Sequence, residues 1–307
     1  MSTPAITRRR LLGAATTLAL TVPLPLAGCA SARSSGFGAA ALARELARRP
    51  VVLLGEVHDN PLQHRVRAEA LAQHLAAGAR PALAFEQFDR SQQAAIDAAR
   101  AGLDRATPPQ TAAQAIVAAA GARGWDWPLY QPFIALALQY ELPIVPANLA
   151  RADAMKVGRA GDFAVLFDAE TQRRLGLDRI DAAVLAAHRQ AIDDGHCNAM
   201  PPHLLPALAR AQIARDITLL ESIRPHMARG VVLLTGNGHV RRDIGVPYFM
   251  TRDEQASTHA IGLLEVAEDG SAPSPAQRAR FDAVFVTPRH TRPDPCESLR
   301  KPAAQGR

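Results

Sequence analysis

The segment Val51-Val52-Leu53-Leu54-Gly55-Glu56-Val57-His58 decides the fold, because a continuous apolar run leads directly into polar residues. Four consecutive large apolar residues indicate a strand that is covered on both faces, as in a parallel sheet. Similar short apolar runs recur along the chain. They predict strands at residues 51–55, 82–85, 144–146, 231–235, 260–266 and 283–286.

Helical patterns lie between these runs. They cover residues 62–77, 91–102, 111–121, 132–140 and 204–229, and the first follows Asn60-Pro61, a typical helix start. Alternating strands and helices predict an α/β fold, a mainly parallel sheet sandwiched by helices. Two long helical insertions, about 87–127 and 151–202, are expected to form a smaller helical lobe. The α/β domain is predicted to span 39–287, followed by a loop-rich tail at 288–307.

Composition and charge exclude several classes of protein. The 307 residues are 48% apolar and 21% charged, which is typical of a globular protein and excludes disordered, collagen-like and multi-span membrane chains. The net charge is +6, but three of the arginines lie in the first 28 residues and the others are scattered among acids. No basic run with interleaved aromatics supports nucleic-acid binding. Three cysteines are too few for a disulfide scaffold.

The N-terminus is predicted to be an export signal spanning residues 1–28. Arg8-Arg9-Arg10 precedes an apolar stretch that ends at Leu26-Ala27-Gly28-Cys29. The apolar stretch is roughly 16 residues, shorter than the about 20 that a membrane span needs. The LAGC tetrad resembles the bacterial lipobox, which implies that Cys29 is acylated, and the arginines resemble a twin-arginine signal. Residues 29–38 would then be the lipidated cysteine and its tether.

The export signal and the lipobox predict an exported protein that is lipid-anchored in the bacterial cell envelope. Ala30 after Cys29 slightly favours the outer membrane. Two further cysteines, Cys197 and Cys296, would then meet an oxidising compartment. Either they form a disulfide with each other or they remain separate thiols.

Polar residues follow four of the predicted strands. Because ligands of parallel sheets bind beyond the carboxyl ends of the strands, these side chains are expected to gather at one edge. They are Glu56, His58, Glu86, Asn148, Asn237 and His239. Carboxylate and imidazole groups suit a divalent transition metal, and they also serve as base and acid. The structural alternatives are a helix cap for Glu56, a buried salt bridge for Glu86 and a structural role for His58.

Two other groups of residues are candidates for binding a ligand. His196-Cys197 is a weak metal signal, since no second ligand pair stands at a matching spacing. Trp125, Trp127, Tyr130 and Tyr140 serve either as core filling or as a platform for a flat ligand such as a porphyrin. In the latter case, the Tyr130 phenolate would be an iron ligand.

Several segments together resemble one known family. VVLLGEVHDNPLQH, LAFEQFDRSQ, IVPANLAR, GHCNAMPP, LLTGNGHVRRDIGVP and FDAVFVTPRHTRPDPCE are similar, in that order, to the ChaN family of haem-binding uptake lipoproteins in the Tiki superfamily. The resemblance implies a membrane-anchored protein that binds haem for iron uptake, with a homodimer and an outer-membrane haem receptor as partners. The expected haem-binding residues are Tyr130, His58, His196 and His239.

The superfamily also implies an alternative function. It contains metal-dependent proteases and resembles the erythromycin esterases, in which paired Gly–His motifs and a glutamate form the catalytic site. Under this alternative the chain is a metal-dependent hydrolase, protease-like or esterase-like. Its catalytic and metal-binding residues would be Glu56, His58, Glu86 and His239.

Overall fold

A parallel sheet of six strands forms the centre of the part of the chain that the structure describes. The structure is a computed structural model, and it describes residues 38–293 and Glu297. The strands are β1 (Val51–Leu54), β2 (Ala82–Asp89), β3 (Ile144–Asn148), β4 (Val231–Leu234), β5 (Thr258–Glu265) and β6 (Ala283–Thr287). Their order in the sheet is β3-β2-β4-β1-β5-β6, and every neighbouring pair is parallel. The predicted strands and the α/β fold class are confirmed.

Helices cover both faces of this sheet. They are α1 (Ala39–Leu46), α2 (Pro61–Ala76), α3 (Gln93–Ala101), α4 (Pro109–Ala120), α5 (Trp127–Gln139), α6 (Arg151–Ala160), α7 (Ala169–Leu175), α8 (Ala182–Gly195), α9 (Leu205–Ile223), α10 (Asn237–Val240), α11 (Arg252–Ser257) and α12 (Pro275–Arg278). Helix α5 begins before the predicted residue 132, so that Pro132 lies inside the helix. In the part of the chain that the structure describes, we find no helix with both the length and the apolar character of a membrane span.

The start of α2 shows why the chain turns sharply after β1. The side-chain oxygen of Asn60 accepts a hydrogen bond from the backbone N–H of Gln63 at 3.1 Å, and Pro61 occupies the first helical position. A capping asparagine and an N-terminal proline both stabilise a helix start. The segment of Gly55 to Asp59 is therefore held as a short loop between strand and helix.

Strand β1 separates two hydrophobic cores. Val52 and Leu54 pack into one core, with α1, α2, α4 and α5, while Val51 and Leu53 pack into the other, with α6 and α9. All four side chains are at most 1% exposed. This alternation follows from the two-residue period of a strand, and it explains why the run is apolar throughout.

The chain leaves β1 and β4 in opposite directions, although these two strands are neighbours. After β1 it enters α2, which packs in the first core, whereas after β4 it enters a segment whose Val240 and Val246 pack in the second core. Such a divergence opens a crevice at the carboxyl ends of the strands, where ligands of open parallel sheets bind.

The two predicted insertions contain helices. Residues 87–127 include α3 and α4, and residues 151–202 include α6, α7 and α8. Helix α6 packs closely along α9, since a Cβ added to Gly158 would lie 2.5 Å from the carbonyl oxygen of Ala207. Cys197 is disulfide-bonded, while its candidate partner Cys296 and the predicted lipidation site Cys29 lie outside the described residues.

Candidate functional site

A buried carboxylate, Glu56, organises the first side of the crevice. Oε1 of Glu56 accepts a hydrogen bond from the hydroxyl of Tyr130 at 2.7 Å and lies 3.0 Å from Nδ1 of His58. Oε2 forms an ion pair with the fully buried guanidinium of Arg67. The Arg67 side chain also donates to the carbonyl of Leu54 at 3.0 Å. Glu56 is therefore a hub with a hydroxyl, an imidazole and a guanidinium around it.

Burial shifts the titration of the groups around this hub. It raises the pKa of the Tyr130 hydroxyl, which therefore stays protonated and donates to Glu56. It lowers the pKa of His64 to about 4, so this imidazole is neutral at neutral pH, and Nε2 of His64 contacts the carbonyl of His58 at 2.9 Å. Burial lowers the pKa of Arg67 to about 9, which still leaves the guanidinium charged at neutral pH.

A second buried carboxylate, Glu86, lies at the end of β2. Its Oε2 accepts hydrogen bonds from the hydroxyl of Thr235 at 2.6 Å and from the backbone N–H of Gly236 at 2.8 Å. Burial would raise the pKa of Glu86, but the neighbouring His239 and the hydrogen bond from Thr235 hold it well below its usual range. Glu86 is thus ionised, and it fixes the loop that follows β4.

His239 lies between two carboxylates. Its Nδ1 lies 2.7 Å from Oδ1 of Asp216 on α9, and its Nε2 lies 3.5 Å from Oε1 of Glu86. Burial would lower the pKa of His239, but the charges of Asp216 and Glu86 raise it to about 10. His239 is therefore a buried imidazolium at neutral pH.

Glycines allow the loops after β1 and β4 to pack against each other. A Cβ added to Gly236 would lie 2.7 Å from Cε1 of His58, and one added to Gly55 would lie 2.4 Å from Oδ1 of Asn237. Asn237 itself bridges to β5, where its amide donates to the carbonyl of Leu263 and its oxygen accepts from the same residue's N–H. Asn237 is thus a structural clamp between loop and strand.

Aromatic rings extend the site on the side of His58. The ring of Trp125 meets His58 edge-on at 4.9 Å and Tyr130 at 5.6 Å, and Trp127 lies 6.2 Å from Tyr130. Tyr140 does not join them, because its ring lies beneath the guanidinium of Arg80. Three of the four aromatic residues noted in the sequence therefore gather at the crevice.

The comparisons with known proteins place the chain in a family. The family model described as "Haem-binding uptake, Tiki superfamily, ChaN" matches residues 42–250. The chain belongs to this family. No curated protein sequence matches the chain significantly.

A solved structure agrees with the fold of this ChaN-family chain. A structure titled as cofacial heme binding to ChaN of Campylobacter jejuni matches with a TM-score of 0.56 and 19% sequence identity, over 73% of this chain and 84% of that one. An erythromycin esterase, EreC, matches over 74% of this chain and 72% of its own, with a TM-score of 0.39 and 13% identity.

The structure does not bring Glu56, His58, Glu86 and His239 together as ligands of one metal ion. Glu56 pairs with the guanidinium of Arg67, Glu86 accepts hydrogen bonds from Thr235 and Gly236, and Nδ1 of His239 lies 2.7 Å from Oδ1 of Asp216. Among the residues that the structure describes, no cluster of three His, Cys, Asp or Glu side chains could hold a metal ion. The predicted transition metal is therefore not supported.

The remaining candidates of this ChaN-family chain, among the described residues, make no hydrogen bond to Glu56 or Glu86. His196 is exposed, with Nδ1 bonded to the carbonyl of Ile192 at 2.6 Å, and it lines a cavity of about 190 Å³ together with His239, Asp216 and Gln212. Asn148 is buried at the end of β3, where its oxygen accepts from the N–H of Leu149.

Three buried residues beside the site were not among the residues predicted from the sequence. Arg67 and His64 lie one helical turn apart on α2, on the face that also buries Leu71. Their spacing would place them on the apolar face of the helix, and a charged residue there is a signal for a buried ion pair. Gln87 is also buried beside Tyr130, and its amide atoms form no hydrogen bond of normal geometry with the described residues.

Proposed function

We propose that the chain is a haem-binding protein of the cell envelope that serves haem and iron uptake. The observation that carries this proposal is the match to the haem-binding uptake family over residues 42–250. The crevice supports it, because the crevice combines an accessible imidazole with aromatic rings at the expected edge of the sheet.

We assign His58 as the ligand of the haem iron. Its side chain is 47% exposed, and its Nδ1 is held by the buried carboxylate of Glu56, which leaves Nε2 for the iron. Histidine is a common axial ligand of haem. A carboxylate on the other ring nitrogen fixes the tautomer and makes the imidazole a better ligand. Trp125 stands edge-on to the imidazole, where it would flank the porphyrin.

The other candidates fit iron less well. The hydroxyl of Tyr130 is buried and donates to Glu56, and the raised pKa disfavours a phenolate. His239 has no free lone pair while its pKa is about 10. His196 lines a cavity of about 190 Å³, below the about 300–1,000 Å³ that is usual for ligand pockets. In this proposal, Tyr130 positions Glu56 and His239 stabilises the loop after β4.

The cellular setting is part of the same proposal. Acylation of Cys29 would anchor the protein, with the outer membrane slightly favoured by Ala30. A porphyrin on the exposed His58 would leave one face uncovered, and we propose that a second copy covers it in a homodimer. An outer-membrane haem receptor would then be the partner in uptake.

A hemin titration of the protein, followed by absorbance and by mass in solution, tests this proposal. We expect a saturable Soret band with a defined stoichiometry, and a shifted band with weaker binding in His58→Ala. The matched control is His196→Ala, an exposed histidine at the small cavity, which should bind hemin like the wild type. A hemin titration that does not saturate would contradict the proposal of specific haem binding. A Soret band that is unchanged in His58→Ala but lost in Tyr130→Phe would show that Tyr130, and not His58, is the iron ligand.

A further inference from the structure

The opposite edge of the sheet, where the strands begin, carries a row of arginines. Arg80 precedes β2, Arg229 precedes β4, and Arg48 and Arg49 precede β1. Because β2, β4 and β1 are consecutive in the sheet, these turns lie side by side at the roughly 4.8 Å spacing of neighbouring strands. The row continues to Arg242 next to the start of β5, where its side chain donates to the carbonyl of Thr258. We call these five residues the arginine row.

Three members of the row have no acidic partner among the residues of 38–293. They are Arg49, Arg80 and Arg229, all exposed. Arg80 is held by hydrogen bonds to the carbonyls of Leu75 and Ala79 and lies over the ring of Tyr140. Arg229 donates to the carbonyl of Arg80 at 3.2 Å. These contacts fix the side chains, but they leave the positive charges unneutralised.

The acids near the row neutralise only part of it. Glu45 pairs with Arg48 at 2.7 Å, and Asp282 pairs with Arg242 at 2.7 Å. Glu141, at the turn before β3, is the exposed acid at the far end of the row. Between Arg48 and Arg242 lies an open depression of about 550 Å³, which Arg49, His259 and the acid Asp282 also line. Five arginines thus stand beside few acids, and the row includes a depression that is large enough for a phosphate group.

We propose that the arginine row binds the phosphate headgroups of an anionic lipid membrane. The turns before parallel strands all end at one level, so they present several charges to a flat surface rather than one pocket to a small molecule. Arginine binds phosphate oxygens in a bidentate manner, and basic residues near an anionic bilayer are attracted to it. Since the row and the crevice lie at opposite edges of the sheet, this contact would direct His58 away from the lipid and towards solvent.

This inference takes the envelope location from the proposed function, but it needs neither haem nor an acylated Cys29. We would measure partition of the full chain onto phosphatidylglycerol–phosphatidylcholine vesicles and onto vesicles of phosphatidylcholine alone, without hemin. Subtracting the second value removes contributions of the apolar N-terminal segment. We expect a preference for the anionic vesicles that weakens with salt.

The test variant is Arg49→Gln/Arg80→Gln/Arg229→Gln. Each arginine near an anionic surface contributes about 1 kcal/mol, so we expect an about 100-fold loss of anionic partition. The matched control is Arg151→Gln/Arg159→Gln/Arg189→Gln, which removes the same charge from exposed positions on α6 and α8. The single variant Arg49→Gln gives up no hydrogen bond among the described residues, and its partition onto anionic vesicles should fall about fivefold. It keeps the test informative if the triple variant fails to fold.

Equal partition of the test and control variants would overturn the proposal. Release by inorganic phosphate, but not by chloride of the same ionic strength, would assign the row to a free phosphate ligand instead of a membrane. The hemin titration of the triple variant should be unchanged. If hemin fails to bind any of the proteins while the vesicle difference persists, only the proposed haem function fails.

Discussion

The imidazole of His58 lies directly against the backbone of Gly236, so that a Cβ on Gly236 would come within 2.7 Å of Cε1 and 2.9 Å of Nε2. The same glycine donates its N–H to Glu86. One residue of the loop after β4 therefore sets both the position of the imidazole after β1 and the position of the carboxylate after β2. The close approach explains why a side chain would be excluded at this point.

We predict that Gly236→Ala displaces His58 and weakens hemin binding about tenfold or more. Overpacking of a tight site also lowers the free energy of unfolding by about 1–3 kcal/mol. Gly238→Ala is the control, because a Cβ at Gly238 meets nothing within 4 Å. Hemin titration and denaturant unfolding of both variants would check the prediction. Equal hemin affinity of the two variants would contradict it.

The strands of the sheet could be predicted from the sequence for a physical reason. Strands that are buried on both faces must be apolar throughout, so residues 51–54, 82–85 and 231–234 stand out from their surroundings. The rule that ligands bind at the carboxyl ends of such strands then selected Glu56, His58, Glu86 and His239. Both inferences depend only on local composition and chain order.

The division of the site into one cluster around Glu56 and another around Glu86 and His239 could not be predicted in this way. It depends on Arg67 and Asp216, which reach the crevice from the helices α2 and α9 rather than from strand ends. Side-chain partners across a tertiary contact leave no local pattern beyond a charged residue on an apolar helix face. The sequence therefore identified the right edge of the sheet, but it could not separate a metal site from two buried charge networks.

The charge of His239 makes a pH-dependent contribution to stability. The folded-state pKa of about 10 lies above the ordinary value of 6.5, so the contribution is fully present below pH 6.5 and is lost as the pH rises through about 10. We predict that His239→Gln lowers the free energy of unfolding by about 3–5 kcal/mol at neutral pH, because it leaves two buried carboxylates without their cation. The difference from the wild type should shrink as the pH rises.

Urea unfolding across this pH range measures the effect. The control is His188→Gln, since His188 is equally buried but its pKa is lowered by burial, and its Nε2 contacts the carbonyl of Ile244 at 2.9 Å. The effect of that substitution should not diminish at high pH. If both histidine variants show the same pH profile, His239 is not the charged partner of Asp216 and Glu86.

The segment after β6 should stabilise the fold through Arg292. Its guanidinium lies 2.7 Å from Oδ2 of Asp59 and 2.7 Å from Oε1 of Glu265, and Glu265 also accepts from Asn60 at 2.6 Å. Residues 288–293 have no helix or strand, and contacts of His290 and Arg292 with Glu265 hold them over the end of β5.

We predict that Arg292→Gln lowers the free energy of unfolding by about 1 kcal/mol, a modest effect because the pairs are partly exposed. Burial would raise the pKa of Glu265, but hydrogen bonds from Arg292 and from the backbone of His290 lower it. The contribution of Glu265 is therefore present above its ordinary pKa and is lost as the pH falls. Unfolding of the variant and the wild type should converge in acid, whereas Arg289→Gln, whose partner Glu268 is 89% exposed, should show little effect at any pH.

The ion pair of Glu56 and Arg67 should be strongly coupled, because both side chains are fully buried. We predict that Glu56→Gln and Arg67→Met each lower the free energy of unfolding by about 3–5 kcal/mol, since each leaves the other charge unpaired. The double variant should lose about 1–3 kcal/mol less than the sum of the two. The exposed pair Lys156 and Asp153, 64% and 37% exposed, provides the control cycle, with an expected coupling of at most about 0.5 kcal/mol. Additive effects at Glu56 and Arg67 would show that the two charges do not stabilise each other.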